Sequence, residues 1–269
     1  MDNRPIGVFD SGMGGLTAVR ELAALLPHEQ LIYFGDTGRV PYGGRSRNTI
    51  IRYARQDVAF LRSFDLKAIV VACGTVSTTA LPILQAEAEG FPIFGVVEPT
   101  ARQAADATRN GKIGLIATRA SIRTGAYQAV ITRLRPEAQV SALACPLFVP
   151  LVENGRTQPG DVVIETVAAE YLAPLKAEGV DTLVLGCTHY PLLLPKIRQF
   201  VPSNIKVVSQ GEYVAASLKD YLYRHPEMAA KCTEGGECTF YTTEAEEKFT
   251  ESASTFLNER ISVKRITLE

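Results

Sequence analysis

Short runs of β-branched and other apolar residues recur along this chain, separated by longer segments with helical periodicity. The runs are IGVF at 6–9, LIYFG at 31–35, AIVVA at 68–72, PIFGVV at 92–97, KIGLIA at 112–117, TLVLG at 182–186 and IKVVS at 205–209. Among the segments between them are LTAVRELAALL at 16–26, NTIIRYARQDVAFLRSF at 48–64 and VVIETVAAEYLAPLKAEG at 162–179; their apolar residues recur with the spacing of one helix face. A strand that is apolar at nearly every position is covered on both faces, whereas a strand with one wet face alternates. The pattern therefore predicts an α/β fold of mostly parallel sheets flanked by helices. With 269 residues, 46% of them hydrophobic, the chain can bury one large core or two smaller ones.

A faint internal echo suggests two halves. PIGVFDS at 5–11 is echoed by KIGLIAT at 112–118, and AIVVAC at 68–73 by TLVLGC at 182–187. The offsets are similar, 107 residues from Ile6 to Ile113 and 114 from Cys73 to Cys187. Chance likeness between apolar runs is the competing reading. From about residue 210 the chain carries a helical pattern (GEYVAASLKDYLY), a loop with Cys232 and Cys238, a strand-like TFYTT and a last helix. Pattern does not assign this stretch to either half.

Charge excludes some partners. The 28 Lys and Arg nearly balance 29 Asp and Glu, and no dense basic run is interleaved with aromatics, so nucleic acid is not an expected partner. The N-terminus MDNRPIGVFDSG lacks the basic, apolar and small-residue regions of a signal peptide, and no apolar stretch is long enough to span a bilayer. No membrane partner is expected, and the location is read as cytoplasmic, where thiols stay reduced. The five cysteines accordingly read as catalytic, structural or incidental rather than as a disulfide framework. The spacing in CTEGGEC, Cys232 to Cys238, is wider than that of usual zinc sites, so no metal is expected, and Cys145 reads as core.

In sheets of this kind, ligands bind at the carboxyl ends of strands. Four such ends run directly into small or polar residues: FDSGMGG at 9–15, FGDTGRVPYGGRS at 34–46, VACGTVSTT at 71–79 and LGCTHYP at 185–191. Cys73 and Cys187 each close an apolar strand at the expected start of a helix, where free N–H groups and the helix dipole favour a thiolate. A free cysteine titrates near about 8.5, so a modest shift makes either sulfur a usable base. Taken singly, each reads as an ordinary buried residue. Two of them in echoing positions, each followed by polar residues, read instead as an acid–base pair. Inverting a stereocentre at an α-carbon requires exactly such a pair in the chemical sense: one group removes a proton from one face while another delivers a proton to the opposite face. One sulfur starts as thiolate and the other as thiol, and a disulfide between them would be inactive.

Other residues suit an amino-acid substrate. Asp10 and Ser11 offer a carboxylate and a hydroxyl at a strand tip, and the glycines of FDSGMGG let backbone N–H groups approach an anion. A phosphate cradle is the alternative, although the loop lacks the Lys-Ser/Thr ending of a P-loop and does not fit G-x-G-x-x-G. His189, two residues after Cys187, can hold that sulfur's proton balance. Glu153, in CPLFVPLVENG, reads either as a carboxylate at the same cleft or as a surface glutamate.

Together these motifs resemble the glutamate racemases, within the wider aspartate/glutamate racemase family. The resemblance runs in order through PIGVFDSGMGGLTAVREL at 5–22, YFGDTGRVPYG at 33–43, VVACGTVST at 70–78, VVEP at 96–99, IGLIATRASIRTGAY at 113–127, CPLFVPLVENG at 145–155 and LVLGCTHYPLL at 183–193. It implies interconversion of L- and D-glutamate without pyridoxal phosphate, metal or any other cofactor, supplying D-glutamate for peptidoglycan, and a homodimer. It also implies two α/β domains facing each other across a cleft, residues 1–97 plus 208–269 and residues 98–207. Residue by residue, Cys73 and Cys187 match the family's base pair, and Asp10, His189 and Glu153 match groups that assist them. Ser11, Tyr42, Gly43, Thr75 and Thr188 match positions that hold the substrate. Asp10 and His189 are also placed among its contacts, and Thr118 and Ser121 match a second polar pair. Gly74 departs from the family, which has Asn after the first cysteine, and glycine offers only its backbone there. An aspartate or broad-specificity racemase, and a non-catalytic binder of acidic amino acids, are the alternatives.

Overall fold

A computed structural model of the protein describes residues 2–229, 236–257 and 261–268, so that Cys232 lies outside the described residues. Ten strands are found among them: β1 (Ile6–Asp10), β2 (Leu31–Gly35), β3 (Ala68–Val71), β4 (Ile93–Gly95), β5 (Lys112–Ala117), β6 (Gln139–Ala144), β7 (Thr182–Gly186), β8 (Lys206–Ser209), β9 (Cys238–Thr242) and β10 (Val263–Arg265). They form two sheets, in the orders β10-β9-β2-β1-β3-β4 and β6-β5-β7-β8. Every pairing is parallel. The α/β architecture read from the buried runs is the one the chain adopts.

The central strands explain the continuous apolar runs. All five residues of β1 are buried, and β1 sets Ile6 opposite Leu31 on one side and Ala68 on the other. All five residues of β7 are buried as well, between β5 and β8. Helix boundaries follow local chemistry. Helix Arg47–Leu61 begins where the Ser46 hydroxyl accepts the Thr49 N–H at 3.2 Å. Helix Val162–Glu178 begins where Asp161 accepts the Val163 N–H at 3.0 Å, and ends at Gly179, whose φ of 68° is left-handed.

Three details differ from the sequence reading. The run at 92–97 splits, because β4 stops at Gly95 and helix Val97–Ala107 begins. Pro99 falls in that helix's first turn, where its missing N–H has no intrahelical partner to lose. The segment QVSALA has a weak apolar pattern yet forms β6, an edge strand whose order comes from pairing with β5. Cys238, read as loop, opens β9 opposite Leu31 in β2.

The chain leaves the first sheet through helix Val97–Ala107, which leads to β5, and returns through helix Gln210–Arg224, which follows β8. The returning helix packs on helix Leu16–Leu25 and on Val97–Ala107. One apolar core joins the sheets, with Val8 and Leu16 in the same cluster as Leu183, Leu185 and Leu218. This shared packing fixes the carboxyl ends of both sheets relative to one another. Among the described residues no helix is long and apolar enough to cross a membrane.

Candidate active site

Between the two sets of strand ends lies a cavity of about 220 Å³. Ser11 and Cys73 reach it from beyond β1 and β3, while Thr118 and Cys187 reach it from beyond β5 and β7. The volume is below the roughly 300–1,000 Å³ of drug-sized sites, which suits a compact ligand. Both sulfurs are almost fully buried, so solvent has little access to either.

On one side, Cys73 is the residue before helix Gly74–Thr79, and its Sγ lies 3.3 Å from the Ser11 hydroxyl. Burial pushes this thiol well above the ordinary range, and the nearby Asp10 carboxylate pushes it further. The Asp10 carboxylate is itself fully buried at the end of β1. Its Oδ2 accepts the Gly15 N–H at 2.7 Å and the Thr188 hydroxyl at 3.3 Å, whereas Oδ1 has no hydrogen-bond partner among the described residues.

On the other side, Cys187 Sγ lies 3.9 Å from His189 Nδ1, and His189 Nε2 lies 3.0 Å from Glu153 Oε1. Burial alone would lower the imidazole's pKa, but the Cys187 sulfur and the Glu153 carboxyl outweigh it and push His189 up to about 10. His189 is therefore cationic at neutral pH. The loop after β1 makes room for this arrangement. A Cβ on Gly14 would collide with the Thr188 hydroxyl and the His189 ring, so only glycine lets the two sheets' loops meet there.

Hydroxyls cover the remaining wall. Thr75 and Thr118 bridge the sheets with their Oγ1 atoms 2.9 Å apart, and Thr118 donates to Ser121 at 3.0 Å. Gly43 packs its backbone against Thr118. Tyr42 also borders the cavity, but its hydroxyl donates to Asp36 and, at 3.1 Å, to Asp57, so it presents ring and backbone rather than the hydroxyl. Cys145 is buried as expected and also touches the cavity; burial pushes its thiol up to about 12, which keeps it protonated. Among the described residues no group of three or more His, Cys, Asp or Glu could hold a metal ion.

Residues 16–218 match the Asp/Glu/Hydantoin racemase family. The chain is 43% identical over 267 residues to the glutamate racemase of Geobacter metallireducens, covering 99% of this chain and 97% of that protein. It is similar to the crystal structure of a glutamate racemase isoform from Bacillus anthracis, with a TM-score of 0.94 and 36% identity over 100% of this chain and 99% of that one. It is also similar to the structure of the Francisella tularensis glutamate racemase in complex with D-glutamate, with a TM-score of 0.92 and 35% identity over 100% of this chain and 99% of that one. The chain belongs to the Asp/Glu/Hydantoin racemase family.

In this family member the residues singled out from sequence fall into two layers. Ser11, Cys73, Gly74 and Thr75 border the cavity from the first sheet, as do Tyr42 and Gly43. Thr118, Cys187, Thr188 and His189 border it from the second. Asp10, Glu153 and Ser121 lie behind that wall and reach it through Thr188, His189 and Thr118. Sequence reasoning missed Arg119, which also borders the cavity, and the buried pair Gln210 and Tyr127. Gln210 directly follows β8, so the strand-end rule applied to a fifth strand would have found it.

Proposed function

We propose that the protein interconverts L- and D-glutamate without a cofactor, by proton transfer between Cys73 and Cys187. One observation supports this above all: two buried sulfurs share one small cavity, one beside a carboxylate and the other beside an imidazolium. The Cys187 thiolate, paired with the His189 cation, takes the α-proton from one face of the substrate. The electron pair of the broken C–H bond is held on the α-carbon and its carboxylate, and Cys73 delivers its S–H proton to the opposite face. The product is the other enantiomer, with Cys187 now a thiol and Cys73 a thiolate. This second form starts the reverse reaction.

The surrounding groups fit such a substrate. Asp10 lies behind the wall, and its buried, unpartnered Oδ1 keeps a carboxylate close to the Cys73 thiol that donates the proton. The hydroxyls of Ser11, Thr75, Thr118 and Thr188 line the cavity, and turning them from their present partners toward a bound substrate makes them donors to its carboxylates. The similarity to glutamate racemases over nearly the whole chain favours glutamate as the substrate. D-glutamate made this way would feed peptidoglycan synthesis. The same reading places the enzyme in the cytoplasm, as a homodimer, with domains 1–97 plus 208–269 and 98–207; the division of strands between the two sheets supports a two-part split, although β8 (Lys206–Ser209) belongs to the second sheet and carries that part past residue 207.

The test is turnover of L-glutamate in D₂O by purified, cofactor-free protein, followed by chiral chromatography and mass spectrometry, with L-aspartate in parallel. D-glutamate carrying deuterium at the α-carbon is expected. Unlabelled product would rule out proton exchange, preferential turnover of aspartate would change the substrate, and ligand-induced stabilisation without turnover would make the protein a binder.

A further inference from the structure

Gly74 and Gly186 are the residues immediately after Cys73 and immediately before Cys187, and the structure brings them into direct contact. A Cβ built on Gly74 would lie 2.6 Å from the Gly186 carbonyl oxygen and 2.7 Å from Gln210 Nε2. The first contact is with backbone, which cannot swing aside. The second is with a side chain that is itself fixed. Gln210 is only 2% exposed, at the first position of helix Gln210–Arg224, and its Nε2 donates to the Tyr127 hydroxyl. Its neighbour Gly211 sits against the backbone of Thr17 and Ala18, which pins the start of that helix to helix Leu16–Leu25.

Tyr127 is fully buried on helix Ala126–Leu134. Burial and then the Cys187 and Cys73 sulfurs raise its hydroxyl above the ordinary range, so this group lies within electrostatic reach of both thiols. The carboxamide of Gln210 thus bridges a hydroxyl that feels both sulfurs and a glycine that abuts the backbone beside both. Its Oε1 is buried with no hydrogen-bond partner among the described residues, so the amide is held at one end only, by Tyr127. None of these residues is needed by the proton-transfer scheme itself.

We propose that Gln210 is a positioning residue, which with Tyr127 forms a buried strut against Gly74 and sets the separation of Cys73 and Cys187 across the substrate. The carboxamide occupies the space that a side chain at position 74 would fill, so positions 74 and 210 are coupled across the two sheets. This rests on the racemase reading of the site. The strut acts on geometry, and a misplacement of reacting groups by about 1 Å can cost on the order of 10²-fold in rate. Shortening Gln210 therefore acts on kcat more than on KM.

The test is a set of steady-state racemisation measurements with L- and D-glutamate on wild type, Gln210→Ala, Tyr127→Phe and the double variant. Wild-type turnover checks the racemase reading first, independently of any variant. Gln210→Ala is expected to lower kcat about tenfold while KM stays within about threefold, and Tyr127→Phe to lower kcat by a smaller factor in the same manner. Because the two act as one strut, the double variant should be no slower than Gln210→Ala alone. Rates of Cys73 and Cys187 alkylation, followed by mass spectrometry, report the geometry without substrate; Gln210→Ala should change them at least threefold. Gly74→Ala should be slower than wild type, and less so relative to its own background when combined with Gln210→Ala. Wild-type kcat and alkylation rates in Gln210→Ala, or a double variant whose loss is the product of the single losses, would overturn the proposal. Should Gly74→Ala fail to fold by thermal melting, the Gln210 and Tyr127 variants decide it alone.

Discussion

The two sides of the cavity place the same side chain in opposite electrostatic settings. Cys73 lies beside the Ser11 hydroxyl and near the buried Asp10 carboxylate, and burial with that charge keeps it a thiol. Cys187 lies beside His189, whose charge is supported in turn by Glu153. A racemase of this design needs a donor and an acceptor at the same moment, and differences in surroundings bear on which of two chemically identical thiols holds the proton at rest. What distinguishes the sides is the sign of the nearest charge, carboxylate on one and imidazolium on the other.

The sharpest way to break this comparison is to remove either sulfur. Cys73→Ser and Cys187→Ser should each lower racemisation by at least about 10³-fold, since each removes one of two groups that act as a unit. Each variant should still exchange the α-proton of only one enantiomer, and the two variants should favour opposite enantiomers. Proton exchange measured by NMR in D₂O, starting from each enantiomer, checks this; full racemisation in both variants would refute the scheme. Replacing the cation comes next. His189→Asn should reduce kcat by about 10²-fold, with the larger loss in the direction that Cys187 initiates. Equal kcat losses in both directions would mean that His189 serves the fold rather than one sulfur.

The pH dependence gives a finer test. His189 is raised from its ordinary value of 6.5 to about 10, so its charge and the stability that it contributes are complete below about 6.5 and are lost as pH rises through about 10. Activity and thermal stability of the wild type should both fall in that alkaline range, while His189→Asn should lack this component. The smallest effect is expected at Glu153. Glu153→Gln removes one of the influences that raise the imidazole, so the alkaline limb should move down by about one pH unit with kcat changed only a few-fold. An unmoved limb would mean that the Cys187 sulfur alone sustains the His189 charge.

Much of this was legible along the chain. The apolar runs at 6–9, 31–35, 112–117 and 182–186 became parallel strands because a buried parallel strand requires that composition on both faces. Cys73 and Cys187 could be singled out because each ends such a run, and strand ends are where these folds bind ligands. Of the edge strands, β4 and β8 were read from their apolar runs, whereas β6 and β10 were not. β6 draws its order from pairing with β5, a long-range property that a six-residue segment does not encode by itself. Gln210 and Tyr127 were missed for a related reason, since an amide and a phenol carry no local signal until folding buries them side by side.

The sequence by itself determined the alternation of strands and helices, the two cysteines at strand ends and the polar residues that follow them, because these depend on composition and spacing over a few residues. Only the tertiary structure decided that both sulfurs border one cavity, that Asp10 faces one side and His189 with Glu153 the other, and that Gly74 abuts Gly186. Those relations join residues from 36 positions apart, Glu153 and His189, to 114, Cys73 and Cys187. They depend on how two sheets dock through a shared core, which decides the charged groups that each sulfur meets.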